Sequence, residues 1–221
     1  HTSEFYVIDH DGTFVSVSDW ELNYEAAAGD DGDFLYRFGN PGQYGHGELA
    51  GYNEQGDLQI SAAHDIQAIR SYLPGAGIFL IFDNGTWNPL NHSSQILEIN
   101  PYIMDSKGTE SSDYVDPSSA GYLEEGSDIW KLNNQVVWSY SSPYANSFYS
   151  SYISGCQRLT NGNTLICSGA TGHFFEVTEE GEVVWEYINP VNIEGIISVS
   201  TSSLAAGGPV FRCYRYGRGH P

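Results

Sequence analysis

The sequence of 221 residues predicts an all-β protein, a β-propeller of four-stranded antiparallel blades, and three observations carry that expectation. Short apolar or alternating runs recur along the chain, nearly all bounded by Gly, Asn, Asp or Pro. Aromatic residues are abundant (16 Tyr, 10 Phe, 5 Trp) while helix-period patterns are scarce. Three stretches also end alike, in an aromatic-rich strand followed shortly by proline: Phe34 to Pro41, Val136 to Pro143 and Val183 to Pro190. Such endings, spaced by roughly 50 to 100 residues, are the mark of a repeated unit with variable insertions.

In chain order the predicted strands are Glu4–Ile8, Thr13–Val17, Phe34–Phe38, Ile78–Phe82, Gln95–Ile99, Gln135–Tyr140, Gln157–Leu159, Thr164–Cys167, His173–Val177, Glu182–Tyr187 and Val210–Tyr216. They divide into blades at about 1–60, 61–143 and 144–190, with a closing segment 191–221. A closed toroid needs roughly four to eight blades. The expectation is therefore a partial propeller, completed by chain upstream of His1 or by a partner chain; a homo-oligomer is a separate expectation.

The sharpest local signal is the run Ser154 to Gly169, in which Asn161-Gly162 predicts a two-residue hairpin turn. That turn pairs residues whose numbers sum to 323, setting Arg158 opposite Leu165 and Cys156 opposite Cys167. The latter would be a hydrogen-bonded pair, the wider of the two antiparallel site types and a poor one for a disulfide. A Cys156–Cys213 disulfide with Cys167 buried and free is the preferred arrangement of the three cysteines. An odd cysteine count without CxxC spacing argues against a zinc site. Asp30-Asp31-Gly32-Asp33 lacks the spaced ligands of a calcium loop, so neither metal nor cofactor is expected.

Eight Lys and Arg against 28 Asp and Glu give a net charge of −20. A surface that negative repels phosphate backbones and anionic bilayers, which excludes nucleic-acid binding. No apolar run approaches the roughly 20 residues that span a membrane. The acidic surface, the sequons at Asn84 and Asn91 and the preferred disulfide suit an exported protein, extracellular or periplasmic.

Several stretches, taken together in order, resemble the arylsulfotransferase family of propellers: residues 4–10, 32–41, 64–85, 148–190 and 210–217, of which 148–190 is the most specific. The resemblance implies a six-bladed propeller with its active site at the central channel. It implies transfer of a sulfuryl group from an aryl sulfate to a phenol without a nucleotide donor, through a sulfated histidine, with further histidines and an arginine around the sulfate. It begins partway through the family's length, so a blade that carries one active-site histidine lies outside this chain.

Such chemistry needs a nucleophile, donors for the sulfate oxygens and a proton donor for the phenolate. Imidazole serves the first and third tasks near neutral pH. His64, just before a strand, matches the family's histidine ahead of the Phe-Asp-Asn-Gly turn. His173 takes the position of the nucleophile, where many relatives carry arginine. Arg158 is expected to grip sulfate, and Asp83 and Asn84 to hold a catalytic histidine. Each has a plainer alternative: a loop contact for His64 with Asp65, a surface turn for His173, an ion pair for Arg158, an Asx turn for Asp83 and Asn84. Arg212 and Arg215 read as structural, and His1, His10, His46, His92 and His220 as turn, loop or terminal residues. Tyr149, Tyr152 and Trp87 are candidates for an aryl pocket. A non-catalytic propeller serving as a surface or assembly module is the rival reading.

Overall fold

The computed structural model describes residues 3–8, 34–44, 48–49, 56–85, 92–103, 107–115, 135–142, 147–196 and 207–217. The predicted strand Thr13–Val17 and the Asp30 to Asp33 cluster lie outside them. So do Trp87, Asn91 and the histidines 1, 10, 46 and 220. The described chain is all-β, with two short 3-10 turns and no α-helix.

Strands β1 (Phe5–Ile8) and β2 (Phe34–Phe38) form an antiparallel pair. A first four-stranded meander follows: β3 (His64–Ala68), β4 (Phe79–Asp83), β5 (Gln95–Ile99) and β6 (Val136–Tyr140). A second comprises β7 (Gly155–Arg158), β8 (Thr164–Ser168), β9 (His173–Val177) and β10 (Val183–Ile188). A small hairpin of β11 (Val191–Asn192) and β12 (Gly195–Ile196) comes next. The two four-stranded meanders are propeller-like blades.

The buried run Phe79-Leu80-Ile81-Phe82 shows why the central strands read as unbroken apolar sequence. Successive side chains point to opposite faces, and in β4 both faces are covered. Leu80 and Phe82 pack toward the second blade with Ile96, Phe148, Ile166 and Phe175. Phe79 and Ile81 pack toward the β1–β2 pair with Phe5, Tyr36 and Phe38. Phe148, from the segment joining the blades, plugs the seam with its ring edge-on to Phe82 (5.7 Å) and Phe175 (5.3 Å).

The innermost strands are laced together by a repeated device. Gln67 on β3 donates its amide to the Cys156 carbonyl of β7. One blade later, Gln157 donates to the Arg215 carbonyl (3.1 Å) and accepts from the Arg215 N–H (2.8 Å). The predicted strand Val210–Tyr216 is therefore corrected. The segment lies along the second blade without a regular ladder, because the Gln157 side chain takes bonds that a strand backbone would take.

The hairpin between β7 and β8 also departs from expectation. Cys156 faces Ile166 and Gly155 faces Cys167, a register one residue away from the predicted one. The loop holds three residues: Gly162 N–H bonds the Leu159 carbonyl (3.1 Å) and Leu159 N–H the Asn163 carbonyl (2.8 Å). Only Gly162 adopts positive φ. The Asn161 carboxamide caps Asn163 N–H (3.2 Å) and donates to Glu176 (3.1 Å). A one-residue slip moves each side chain to the other face. Cys156 thus enters the seam between blades, while Cys167 turns to the opposite face, where its thiol meets that of Cys213. The Cys156–Cys213 disulfide is corrected accordingly: all three cysteines are free, and the neighbour of Cys213 is Cys167.

Candidate functional site

His64 opens β3 at one end of the seam between the blades. Its Nδ1 lies 2.7 Å from Asn84 Oδ1 and 3.0 Å from the Ala62 carbonyl. Both partners are acceptors, so Nδ1 carries the proton. The Asn84 orientation follows from its other end, where Nδ2 donates to the carbonyls of Ser150 (2.6 Å) and Ile153 (3.1 Å). In the neutral ring Nε2 then bears a lone pair, and no described residue occupies it.

Asn84 is wholly enclosed and belongs to a polar knot that closes this end of the seam. Ser94 Oγ donates to the Asn84 carbonyl (3.0 Å) and accepts from Ser150 N–H (2.9 Å). Ser150 Oγ accepts from Ser154 Oγ (2.7 Å) and from Ala170 N–H (2.9 Å). Strained backbone gathers at the same place. Among the described residues, non-glycine positions with positive φ are Ser3, Ala62, Asp65, Ile153 and Ser154. All but the first flank His64 or the carbonyls that hold Asn84. Conformations of this kind cost on the order of 1–3 kcal/mol each and collect where a surrounding structure over-determines them.

Asp65 supplies the charge beside His64. Its carboxylate accepts from Cys156 N–H (3.0 Å) and pairs with the Arg212 guanidinium (3.0 Å). Gly155 is required there, since a Cβ would run into that carboxylate. Burial raises the Asp65 pKa above its ordinary value, and Arg212 offsets part of the rise. The Nε–H of Arg212 is enclosed and has no acceptor. Arg212, read from sequence as structural, is therefore the guanidinium that shares a carboxylate with the His64 loop.

The other candidates lie elsewhere. Asp83 turns away from His64 and braces the loop: it accepts from Ser61 N–H (2.8 Å), Gly85 N–H (3.2 Å) and Gln95 Nε2 (2.8 Å). Burial pushes its carboxyl up to about 6. The folded state therefore binds more protons than the unfolded one between pH 4 and 6, and Asp83's contribution to stability falls as pH rises through that window. Asp83→Asn is expected to flatten this slope, read from urea midpoints at pH 4 and pH 7; an unchanged slope would remove Asp83 as its source.

Arg158 is engaged with Glu98 in an ion pair, donates to the Gly162 carbonyl (2.6 Å) and lies over Trp138 at 5.6 Å. His173 stacks on Phe175 (4.8 Å) and directs Nε2 to Glu186 (3.3 Å). Burial lowers its pKa despite that carboxylate. No hydrogen bond or ion pair joins Arg158 or His173 to His64 among the described residues. Tyr149 lies 5.6 Å from His92, and Tyr152 is exposed, both in the segment that carries Ser150 and Ile153.

No protein-family model matches the chain, and no curated protein matches it. Among solved structures, a protein of unknown function from Bacteroides caccae is similar over 72% of this chain and 36% of its own, at 14% identity and a TM-score of 0.34. The chain thus spans about a third of that protein's length.

Proposed function

We propose that this protein is an arylsulfotransferase-like enzyme in which His64 Nε2 carries the sulfuryl group between an aryl sulfate and a phenol. The observation that carries the reading is the fixed proton on His64 Nδ1. It leaves Nε2 as a free lone pair on a ring held by an enclosed carboxamide, which is how an imidazole nucleophile is activated. Nε2 attacks sulfur as the bond from sulfur to the aryl oxygen breaks, and the phenolate leaves and takes a proton from solvent. The acceptor phenol oxygen then attacks the sulfur as the sulfur–Nε2 bond breaks, the phenol loses its proton to solvent, and the electron pair of the broken bond restores the Nε2 lone pair. The partly exposed Arg212 guanidinium, paired with Asp65 beside His64, supports a role in balancing sulfate charge, and Asn84 is a positioning residue.

His64→Gln in the complete protein is expected to reduce release of nitrophenol from nitrophenyl sulfate, with phenol as acceptor, by on the order of a thousandfold or more. Unchanged turnover, or none in the unaltered protein, would overturn the reading. The second outcome would favour a non-catalytic module, for which the exposed Val183, Val184, Trp185 and Tyr187 of β10 offer a surface.

A further inference from the structure

At the opposite ends of β3 and β7 from His64, a cleft of about 660 Å³ opens between the two inner strands and the 214–217 segment. Its size falls within the roughly 300–1,000 Å³ of small-molecule sites. The lining is unlike the rest of the molecule. Acids outnumber bases 28 to 8 in the chain, yet Arg70, Arg158 and Arg215 line this cleft and no Asp or Glu does among the described residues.

The three guanidinium groups are not equivalent. Arg158 is neutralised by Glu98, and Arg215 pairs with Glu176 while lying over Trp185 at 5.1 Å. Arg70 is exposed, and its hydrogen-bond partner is the Tyr72 hydroxyl at 3.1 Å, with no carboxylate among the described residues. Among the described residues, one cation in the cleft is therefore uncompensated. Around it stand three rings open to solvent: Tyr72 (68% exposed), Tyr214 (45%) and Tyr216 (62%).

A single cation selects a carboxylate, which a guanidinium holds with two parallel hydrogen bonds. Rings exposed in an open, half-polar cleft suit the C–H faces of a sugar, whose hydroxyls stay hydrated or meet tyrosine hydroxyls and the Asn161 amide. A flat aromatic acid would instead call for an enclosed apolar slot. We propose that this cleft binds an acidic oligosaccharide, with a uronate carboxylate on Arg70 and sugar faces on Tyr72 and Tyr216. The proposal does not rest on the reading of His64.

The test is calorimetric titration of the full chain with a galacturonic acid trimer, a neutral maltotriose and benzoate. The acidic trimer is expected to bind at least tenfold more tightly than maltotriose, more weakly as salt rises, and equally well to His64→Gln. Arg70→Ala is expected to weaken it tenfold or more, Arg70→Lys less, and Tyr216→Ala severalfold. Both residues are exposed, so neither change threatens the fold. Absence of binding, equal affinity for the neutral trimer, comparable binding of benzoate, or an unaffected Arg70→Ala variant would each overturn the proposal.

Discussion

Arg158→Met is expected to lower the free energy of unfolding by about 3–5 kcal/mol, the cost of leaving a buried partner charge unpaired. Arg158 reaches out of β7 into the first blade, where its side chain is 8% exposed and that of Glu98 is 10% exposed. Methionine replaces the aliphatic stem and its packing on Trp138 but leaves the Glu98 carboxylate in the seam without its cation. The double variant Arg158→Met, Glu98→Gln is expected to recover most of the loss, since desolvation offsets much of what a buried pair gains. An exposed pair would contribute only about 0–1 kcal/mol. Urea unfolding followed by tryptophan emission measures both variants. A loss below 1 kcal/mol, or a double variant as weak as the single one, would show that the pair is hydrated.

Asn84→Asp is expected to be as damaging at pH 7, again by about 3–5 kcal/mol, for an isosteric change of one atom. The amide nitrogen that donates to the Ser150 and Ile153 carbonyls becomes an oxygen facing two other oxygens. Burial and those carbonyls raise the new carboxyl's pKa above its unfolded value. The variant's deficit is then smallest near pH 4, where the acid is neutral, and grows as pH rises through the folded pKa. A deficit that is constant from pH 4 to pH 7 would mean that the position is hydrated. Near-wild-type stability at pH 7 would remove Asn84 as the bond across the seam.

The strands were legible where one physical pattern dominated. Gln95–Ile99 and His173–Val177 lie where alternation and their flanking turns placed them, because neighbours on both sides enforce the pleat. The hairpin at Asn161-Gly162 was misread by one residue. Asn161 spends its side chain on Asn163 and Glu176 rather than entering the left-handed region, and a dipeptide rule cannot register that commitment. His64 was singled out through the family resemblance and Asn84 from its place at the end of a buried strand, and a hydrogen bond joins the two. Ser94, Ser150 and Ser154 were not, since a serine in a loop looks the same whether it closes a seam or faces water. The Arg212 contact was missed for a related reason: its partner Asp65 lies 147 residues earlier in the chain, and no local spacing connects them.

The glutamine links between inner strands bear on the order of assembly. Apart from the pairing of β5 with β6, across 36 intervening residues, each meander joins strands close in sequence, whose hairpins form on a fast timescale. Gln67 and Cys156, like Asn84 and Ser150, meet only after a long stretch of intervening polypeptide has been gathered in, an entropic toll that slows closure. A newly synthesised molecule would therefore show sheet before it shows the His64 imidazole fixed by Asn84. Whatever reactivity that imidazole has would be switched on by the last docking event.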